Sequence, residues 1–262
     1  QGKIQIGILE TMGIPHCIIS NQDDEFEEKL KNGVNIARIK KRPYAILVKK
    51  GLFNKYRPRL INKNISSLLR EEALEIILSR LQSDTITIST TGKTSREVFE
   101  IRQRNNSDHD SDFLTVGSMG HCSSIALGIA ISRPSLKIIC IDGDGSLIMH
   151  MGGLSTIGKI KPKNFYHILI NNEVHESVGG QGTASKNIDM QSLAKANGYE
   201  NLFFAEDTNS LKSQFNDLIS HNGPSFLEIK VKPGSRNDLG RPSLSPAENK
   251  ELFVRSLRKD NH

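Results

Sequence analysis

The fold of this 262-residue chain is decided by residues 136–146, LKIICIDGDGS, where an apolar run ends in alternating Asp and Gly. The run at 136–141 predicts a buried strand, because short apolar runs bounded by turn residues are typical of strands covered on both faces. A second such run, at 165–170, ends in Asn171-Asn172. Ligands of open α/β sheets bind beyond the carboxyl ends of strands, so we expect the functional site where these runs end.

On both sides of these runs, from residue 66 onward, the chain alternates strand-like and helix-like patterns. This alternation predicts an α/β fold with a doubly wound, mostly parallel sheet and helices on both faces. Ser66 or Ser67 is expected to cap a helix over residues 68–81, and another helix is predicted over 247–258. The remaining predicted strands lie at 85–89, 113–116, 202–205 and 226–231.

The first 50 residues form a separate pattern of helix, strand, helix and strand. Residues 51–65 are rich in Gly, Pro, Asn and basic side chains, and they predict an interdomain linker. The elements expected before this linker are a helix at 4–12, a strand at 16–20, a charged helix at 23–38 and a strand at 44–48.

The net charge of +6 is unevenly distributed. Residues 1–64 carry 13 Lys and Arg against 6 Asp and Glu, whereas residues 65–262 carry 22 against 23. A solvated basic face, or a surface that docks on an acidic partner, is favoured over nucleic-acid binding. Aromatic residues make up only 5% of the chain and Trp is absent, which argues against a base-stacking surface.

Cysteine usage and hydropathy bear on the compartment. The three cysteines form no Cys-X-X-Cys pair, and Cys140 lies in the apolar run, so a reducing cytoplasm is expected rather than a disulfide framework. No apolar stretch approaches the ~20 residues that span a membrane. No signal-peptide pattern opens the chain. The sequence therefore predicts neither membrane nor nucleic-acid partners.

The two strand ends carry groups suited to a metal and a phosphate. Asp144 and Asn172 are 28 residues apart, which allows one crossover helix and places both at the same edge of neighbouring strands. Carboxylate and amide oxygens suit Mg²⁺, which leaves its other positions to phosphates and water. Gly143 and Gly145 allow close backbone approach, and the helix after Ser146 offers free N–H groups. Gly-Asp-Gly alone is more often a turn, but its pairing with Asn-Asn is more specific.

A further turn, residues 90–95 (TTGKTS), looks like the end of a P-loop. That motif needs a Gly five residues before Gly92, where the chain has Thr87, so a nucleotide-binding module is the weakest alternative. The segment still predicts a strand-to-helix turn placed to touch a phosphate through Thr91, Gly92 and Lys93. A solvated surface charge is the alternative for Lys93.

Together, these blocks resemble thiamine-diphosphate enzymes, in which Gly-Asp-Gly is followed by Asn-Asn. The resemblance implies that Asp144, Asn172 and the backbone carbonyl of Val174 hold Mg²⁺ and, through it, the diphosphate. In the segment VGSMGH at 116–121, it implies that the carbonyl of Gly117 meets the cofactor's 4′-amino group. Met119 is expected to wedge between the two cofactor rings, with an ordinary core residue as the alternative.

Three longer segments, 90–97 (TTGKTSRE), 116–130 (VGSMGHCSSIALGIA) and 171–183 (NNEVHESVGGQGT), resemble phosphonopyruvate decarboxylases. The tail at 232–252 fits the same family, and sulfopyruvate decarboxylases are near relatives. The implied reaction converts 3-phosphonopyruvate to phosphonoacetaldehyde and CO₂, a step in the biosynthesis of phosphonates such as 2-aminoethylphosphonate. Sulfopyruvate decarboxylation, or an inactive subunit that binds the cofactor, are the competing interpretations.

The residues themselves suggest further roles in catalysis and substrate binding. His175 is expected to donate a proton at the reacting end, or else to be a structural loop histidine. Glu176 stands where the family commonly has Asp, and its role stays open. His121 is expected to contact the diphosphate or substrate, or to cap the following helix. Arg236 and Arg241 bracket a turn and are assigned to the phosphonate, with surface or subunit-interface arginines as an equal alternative.

The family's cofactor-activating Glu lies on a pyrimidine-binding domain, usually across a subunit interface. Residues 1–50 resemble only the last portion of that domain, and Glu10 lies on the wrong segment. We therefore expect that Glu upstream of Gln1, in a chain cut from a longer parent that forms at least a homodimer. The predicted organisation is a remnant of the pyrimidine-binding domain at 1–50, a linker at 51–65 and a diphosphate-binding domain at 66–262.

Overall fold

The computed structural model of this protein describes residues 2–54 and 66–259. The chain forms two compact units that divide near residue 57, within the predicted linker. Most of that linker, residues 55–65, lies outside the described residues. Within the described ranges, no helix combines the length and apolar character needed to cross a membrane.

The first unit is built around two parallel strands. After helix α1 (Gln5–Thr11) come strand β1 (His16–Ile19), helix α2 (Phe26–Lys40) and strand β2 (Ala45–Val48), and β1 pairs with β2. The sequence placed the start of the charged helix at residue 23, but Asp23 instead accepts the backbone N–H of Ser20 at 2.6 Å and pairs with Lys29. That contact keeps residue 23 in the turn. The assignment of this unit to a pyrimidine-binding domain stays a prediction.

The second unit contains a six-stranded sheet, a short hairpin and the remaining helices. In chain order its elements are α3 (Arg70–Leu78), β3 (Thr85–Ser89), α4 (Lys93–Arg104), β4 (Asp112–Leu114), α5 (Cys122–Ser132), β5 (Lys137–Gly143), α6 (Asp144–Met149), α7 (Gly153–Ile160), β6 (Phe165–Asn171), β7 (Val174–His175), β8 (Gln181–Gly182), α8 (Met190–Ala196), β9 (Asn201–Ala205), α9 (Thr208–Ser220), β10 (Ser225–Lys230) and α10 (Pro246–Lys259). The sheet order is β4-β3-β5-β6-β10-β9, and every pairing is parallel.

Apolar clusters cover both faces of this sheet. Side chains alternate along a strand, so Ile138 and Cys140 of β5 pack with α5, α7 and α8, whereas Ile139 and Ile141 pack with α3, α4 and α9. Burial on both faces explains why the sequence of β5 is continuously apolar rather than alternating. The predicted doubly wound parallel sheet is confirmed, with strand ends within about two residues of those predicted.

The predicted cap of the first helix in this unit is wrong. Helix α3 begins at Arg70, and the side chain of Glu72 accepts the N–H of Leu69 at 2.8 Å. The hydroxyl of Ser66 instead donates to the carbonyls of Glu206 and Lys230, at 3.0 and 2.8 Å. Those carbonyls lie more than a hundred residues away in sequence, so a tertiary contact has replaced the local cap.

The strand order places a crevice beside β3. The chain leaves β3 for β4 on one side and then returns to β5 on the other side, which makes the gap between β3 and β5 a topological switch point. Ligands of doubly wound sheets bind at this point, at the carboxyl ends of the strands. The segments after β3, β5 and β6 therefore converge on one crevice.

Replacing Gly158 with Ala tests the packing of α7 against the end of α8. A Cβ at Gly158 would lie 1.6 Å from the carbonyl oxygen of Asn197, so the helices must separate. We expect the free energy of unfolding to fall by about 1–3 kcal/mol, measured by urea denaturation. The matched control is Gly128→Ala in α5, where no atom lies within 4 Å of the added Cβ. That change should be neutral or stabilising, since Ala favours helix over Gly, and an equal loss in both variants would contradict the packing argument.

Candidate functional site

A cleft of about 250 Å³ opens at the crevice, between the turns that follow β3 and β5 and the segment that follows β6. Most of the site residues expected from the sequence line it. They are Thr91, Gly92, Lys93, Met119, Gly143, Asp144, Gly145, Ser146, Asn172, Val174, His175 and Glu176.

Three oxygen donors fall together in this cleft. Asp144 is 3% exposed, and its Oδ2 accepts hydrogen bonds from the hydroxyls of Ser185 (2.8 Å) and Thr183. Burial raises the pKa of the Asp144 carboxyl, and these two hydroxyls act in the opposite direction. Asn172 Oδ1 accepts the N–H of Val174 at 3.2 Å, and Val174, whose backbone carbonyl is the third candidate ligand, also lines the cleft. One carboxylate, one amide oxygen and one carbonyl match the ligand preference of Mg²⁺.

Backbone around these donors leaves room for a ligand. A Cβ at Gly143 would meet only the methyl of Thr90, at 3.8 Å. Within the described residues, no group of three or more His, Cys, Asp or Glu side chains could hold a metal ion.

The turn after β3 forms the second wall of the cleft. Gly92 has a φ of +104°, a conformation that L side chains rarely adopt, and it directly precedes α4. Thr91 Oγ1 accepts the backbone N–H of Gly117 at 3.0 Å, so this turn is tied to the 117–120 loop. Lys93 opens α4, and its Nζ donates to Glu176 (2.8 Å) and to Ser235 (2.7 Å). Lys93 is therefore engaged by two side chains and is not a solvated surface charge, the alternative considered from the sequence.

Ser146 ties together three of the segments that form the cleft. Its Oγ accepts hydrogen bonds from the hydroxyl of Thr90 and the N–H of Gly120, both at 3.0 Å. Ser146 lines the cleft, but these contacts occupy its hydroxyl, so its side chain contributes mainly to holding the walls together.

Met119 and His175 converge on Gly145. A Cβ at Gly145 would lie 2.6 Å from Cε1 of His175 and 3.3 Å from Cε of Met119. Three residues of the 117–120 loop have positive φ angles, which bends the loop around Met119; they are Gly117, Ser118 and Gly120. His175 lies on the short strand β7, directly after the Asn172 and Val174 donors, and so reaches the interior of the cleft.

Two charged residues that the sequence analysis missed complete this site. Arg70 is 4% exposed and lines the cleft; its Nε and Nη2 donate to Glu97 at 2.6 and 2.8 Å, and its Nη1 donates to Glu176 at 2.7 Å. The sequence did contain a signal for Arg70, because this residue lies on the same face of α3 as the buried Leu74 and Ile77. A charged residue on an apolar stripe indicates a buried partner.

Electrostatics fix the charge state of Glu176. Burial acts to raise the pKa of Glu176, but Arg70 and Lys93 outweigh it and hold that pKa below its ordinary value. For Glu97 the balance is reversed, because burial raises its pKa more than Arg70 lowers it. Glu176 is therefore an ionised carboxylate whose partners are already in place.

A buried polar pair lies directly beneath the Gly-Asp-Gly turn. His167 Nε2 is 3.5 Å from Asp142 Oδ2, and His167 Nδ1 is 2.9 Å from the hydroxyl of Tyr199. Burial lowers the pKa of His167, but its polar neighbours outweigh it and the net shift is well upward. Asp142 Oδ1 accepts the N–H of Gly143 at 2.8 Å. Asp142 therefore anchors the turn from below, and Asp144 is the carboxylate that faces the cleft.

The structure does not bring four of the predicted residues into the cleft lining. Gly117 is linked to the site by its N–H, which Thr91 Oγ1 accepts at 3.0 Å. His121 is exposed at the start of α5, with its Nδ1 3.2 Å from the carbonyl of Ser118 and its ring 4.0 Å from that of His150. Arg236 and Arg241 line a separate groove.

Arg236 is already engaged in that groove. Its guanidinium contacts three carboxylates, those of Glu71 (2.8 Å), Asp238 (3.1 Å) and Glu100. Its position gives no support to the phosphonate-binding role that the sequence analysis assigned to it.

A parallel sheet with this order, and with Gly-Asp-Gly and Asn-Asn facing each other beyond adjacent strands, defines the diphosphate-binding domain of an α/β enzyme. Residues 90–229 match the family described as "Thiamine pyrophosphate enzyme, C-terminal TPP binding domain". The chain belongs to this family, and thiamine pyrophosphate is the cofactor of the family.

Individual relatives agree with this assignment. The chain is 30% identical to phosphonopyruvate decarboxylase of Streptomyces viridochromogenes over 94% of this chain, and it spans 64% of that protein. It is 35% identical to sulfopyruvate decarboxylase subunit beta of Methanothermobacter thermautotrophicus, over 73% of this chain and 96% of the subunit. The crystal structure of benzoylformate decarboxylase from Polynucleobacter necessarius superposes with a TM-score of 0.56 at 14% identity, over 84% of this chain and 45% of that one. That likeness confirms the fold.

Proposed function

We propose that this chain is the cofactor-binding part of a thiamine-diphosphate- and Mg²⁺-dependent decarboxylase that converts 3-phosphonopyruvate to phosphonoacetaldehyde and CO₂. The observation that carries the proposal is that Asp144, Asn172 and Val174 line one cleft at the switch point of the sheet. In this proposal the three oxygens hold Mg²⁺, which in turn holds the diphosphate.

The other residues of the cleft bind and orient. The turn at Thr91 and Gly92 would bind the diphosphate, and Met119 would contact the cofactor rings. When bound, the cofactor supplies the electron sink that accepts the electrons released with CO₂. His175 stands over Gly145 and donates a proton at the reacting end of the substrate.

We favour a phosphonate substrate because the similarity to a phosphonopyruvate decarboxylase extends over most of this chain. The phosphonopyruvate decarboxylase match covers 94% of this chain, including most of the first unit. Sulfopyruvate decarboxylation is the second candidate, because the chain covers 96% of a sulfopyruvate decarboxylase subunit at 35% identity. The two substrates differ only in the acidic group on C3, which is a phosphonate in one and a sulfonate in the other.

A partner domain is part of the proposal. Glu176 is the glutamate that lines the cleft among the described residues, and Arg70, Lys93 and Asn172 already occupy its carboxylate. We therefore propose that the activating Glu comes from a pyrimidine-binding domain, in a second copy of the chain or in a separate segment.

The test is an aldehyde-forming assay on the complete protein with thiamine diphosphate and Mg²⁺. We expect phosphonopyruvate to be consumed at least tenfold faster than sulfopyruvate or pyruvate, and chelation of the metal to abolish turnover until Mg²⁺ is restored. A preference for sulfopyruvate would favour the second candidate. Cofactor binding by calorimetry without aldehyde from any of these acids would contradict the proposal and indicate an inactive subunit.

A further inference from the structure

The carboxylate of Glu176 lies among three hydrogen-bond donors. Its Oε2 accepts from Asn172 Nδ2 at 3.1 Å and from Arg70 Nη1 at 2.7 Å, and its Oε1 accepts from Lys93 Nζ at 2.8 Å. Each of these contacts brings an N–H donor to a carboxylate oxygen, so both oxygens of Glu176 act as acceptors. Both oxygens are therefore committed to neighbouring side chains.

This arrangement determines which way the amide of Asn172 faces. Because Glu176 only accepts, Asn172 must turn its NH₂ group toward Glu176, which leaves Oδ1 on the opposite side. There Oδ1 accepts the N–H of Val174 at 3.2 Å. In the reversed orientation, the amide oxygen would face a carboxylate and the NH₂ would face an N–H. Two independent contacts thus select the same orientation, with the NH₂ group toward Glu176 and Oδ1 free of that carboxylate.

Glu176 is itself held by a buried ion pair. Arg70 uses two of its donors on Glu97, which is 1% exposed, and keeps Nη1 for Glu176. A planar guanidinium holds its donors in fixed directions and can serve two carboxylates at once, whereas the three donors of an ammonium rotate. The chain Glu97–Arg70–Glu176–Asn172 therefore runs without a break from the core to the proposed Mg²⁺ ligand.

We propose that Glu176 is a positioning residue, which fixes the Asn172 amide with its oxygen toward Mg²⁺, and that Arg70 and Glu97 hold Glu176 in place. This inference rests on the proposed function, because it concerns the metal site of that function. It assigns a role to Glu176, which the sequence analysis left open. Groups that orient a metal ligand in this way commonly affect metal affinity about 10–100-fold.

The decisive variant is Glu176→Gln in the complete protein. Gln matches Glu in size, but its single oxygen cannot accept from Asn172, Arg70 and Lys93 together. We expect the affinity for Mn²⁺, measured by electron paramagnetic resonance with thiamine diphosphate present, to fall about 10–100-fold. Thermal unfolding verifies that the variant folds. This readout does not depend on turnover.

The matched control is Glu173→Gln. Glu173 adjoins Asn172 in the same segment, but its Oε1 accepts from Lys230 at 3.2 Å, away from the amide. The two variants lose the same charge close to the metal, so a simple charge effect would weaken Mn²⁺ binding equally in both. We expect Glu173→Gln to change Mn²⁺ affinity less than about threefold, and equal losses would overturn the proposal.

Arg70→Lys provides the second arm. Lys keeps the positive charge but lacks the guanidinium that contacts Glu97 and Glu176 together, so we expect Mn²⁺ affinity to fall. If the two residues act through one linkage, adding Glu176→Gln to Arg70→Lys should cause little further loss of Mn²⁺ affinity. Fully additive losses would overturn the linkage between the two residues. A Glu176→Gln variant with lower kcat and unchanged Mn²⁺ affinity would overturn the positioning role and assign Glu176 to the substrate. Failure of the unaltered protein to bind Mn²⁺ with the cofactor would instead overturn the proposed function.

Discussion

Asp144→Asn is expected to abolish binding of thiamine diphosphate and Mg²⁺ under ordinary assay conditions. Asp144 is the charged member of the three proposed donors, so the variant would leave a divalent cation with neutral oxygens only. Loss of a direct ligand should exceed the roughly 10–100-fold effect of residues that only orient ligands. Calorimetry should show cofactor affinity reduced by more than about 100-fold.

Substitution by Asn distinguishes an effect on metal binding from an effect on the stability of the fold. Asp144 also accepts hydrogen bonds from Thr183 and Ser185. An amide oxygen can still accept both, so the variant should unfold at nearly the same temperature as the unaltered protein. The two proteins should differ when cofactor is added, since a ligand at 100 times its Kd stabilises a protein by about 2.7 kcal/mol.

Asp189→Asn is the matched control for this prediction. Asp189 caps α8 by accepting the N–H of Ser192 at 3.1 Å, and it does not line the cleft. The same chemical change there should leave cofactor affinity intact. If Asp144→Asn bound the cofactor and Mg²⁺ as tightly as the unaltered protein, the metal site would have to lie elsewhere.

The sequence predicted the parts of this site that depend on local pattern. Strands β5 and β6 contain apolar runs closed by turn residues, and such runs define strand ends well. Asp144 and Asn172 follow from those ends, because one crossover between parallel neighbours brings both residues to one edge. The Gly-rich turns could be interpreted in the same way, since their backbone requirements are local.

Contacts between distant segments could not be predicted from the sequence. Arg70 and Glu97 are 27 residues apart on different helices, and nothing local pairs them. The insertion of β10 between β6 and β9 also depends on global packing. His121 follows the Met119 block in sequence, yet the loop's run of positive φ angles leaves it outside the cleft lining. Proximity in sequence was a poor guide where the backbone reverses direction.

Arg70→Met is expected to destabilise the protein strongly. Glu97 would remain 1% exposed without its guanidinium partner. Breaking a buried ion pair from one side typically costs about 3–5 kcal/mol, because an uncompensated charge stays in the core. Urea denaturation at pH 7–8 should show a loss of this size. The double variant Arg70→Met/Glu97→Met should recover most of it, since both charges are then gone.

The pH dependence of Arg70→Met follows from Glu97. Burial already raises the pKa of Glu97 above its ordinary value of 4.5, and Arg70 is what opposes this rise. Without Arg70 that pKa rises further. A carboxyl with a raised folded-state pKa contributes stability below its unfolded pKa, and this contribution is lost as the pH rises through the folded pKa. The deficit of the variant should therefore be smallest near pH 4.5 and largest at pH 8.

Arg102→Met separates stability from function. Arg102 pairs with the fully buried Asp112 at 2.9 Å, and neither residue lines the cleft. This variant should lose a similar amount of stability and keep its affinity for metal and cofactor. Arg70→Met should lose both, because Glu176 is released as well. A buried ion pair is by itself weak evidence of a stabilising role. The Arg70–Glu97 pair also contacts Glu176 through Arg70, so we expect it to position Glu176 for metal binding. Equal cofactor affinity in Arg70→Met and Arg102→Met would contradict this positioning role of Arg70.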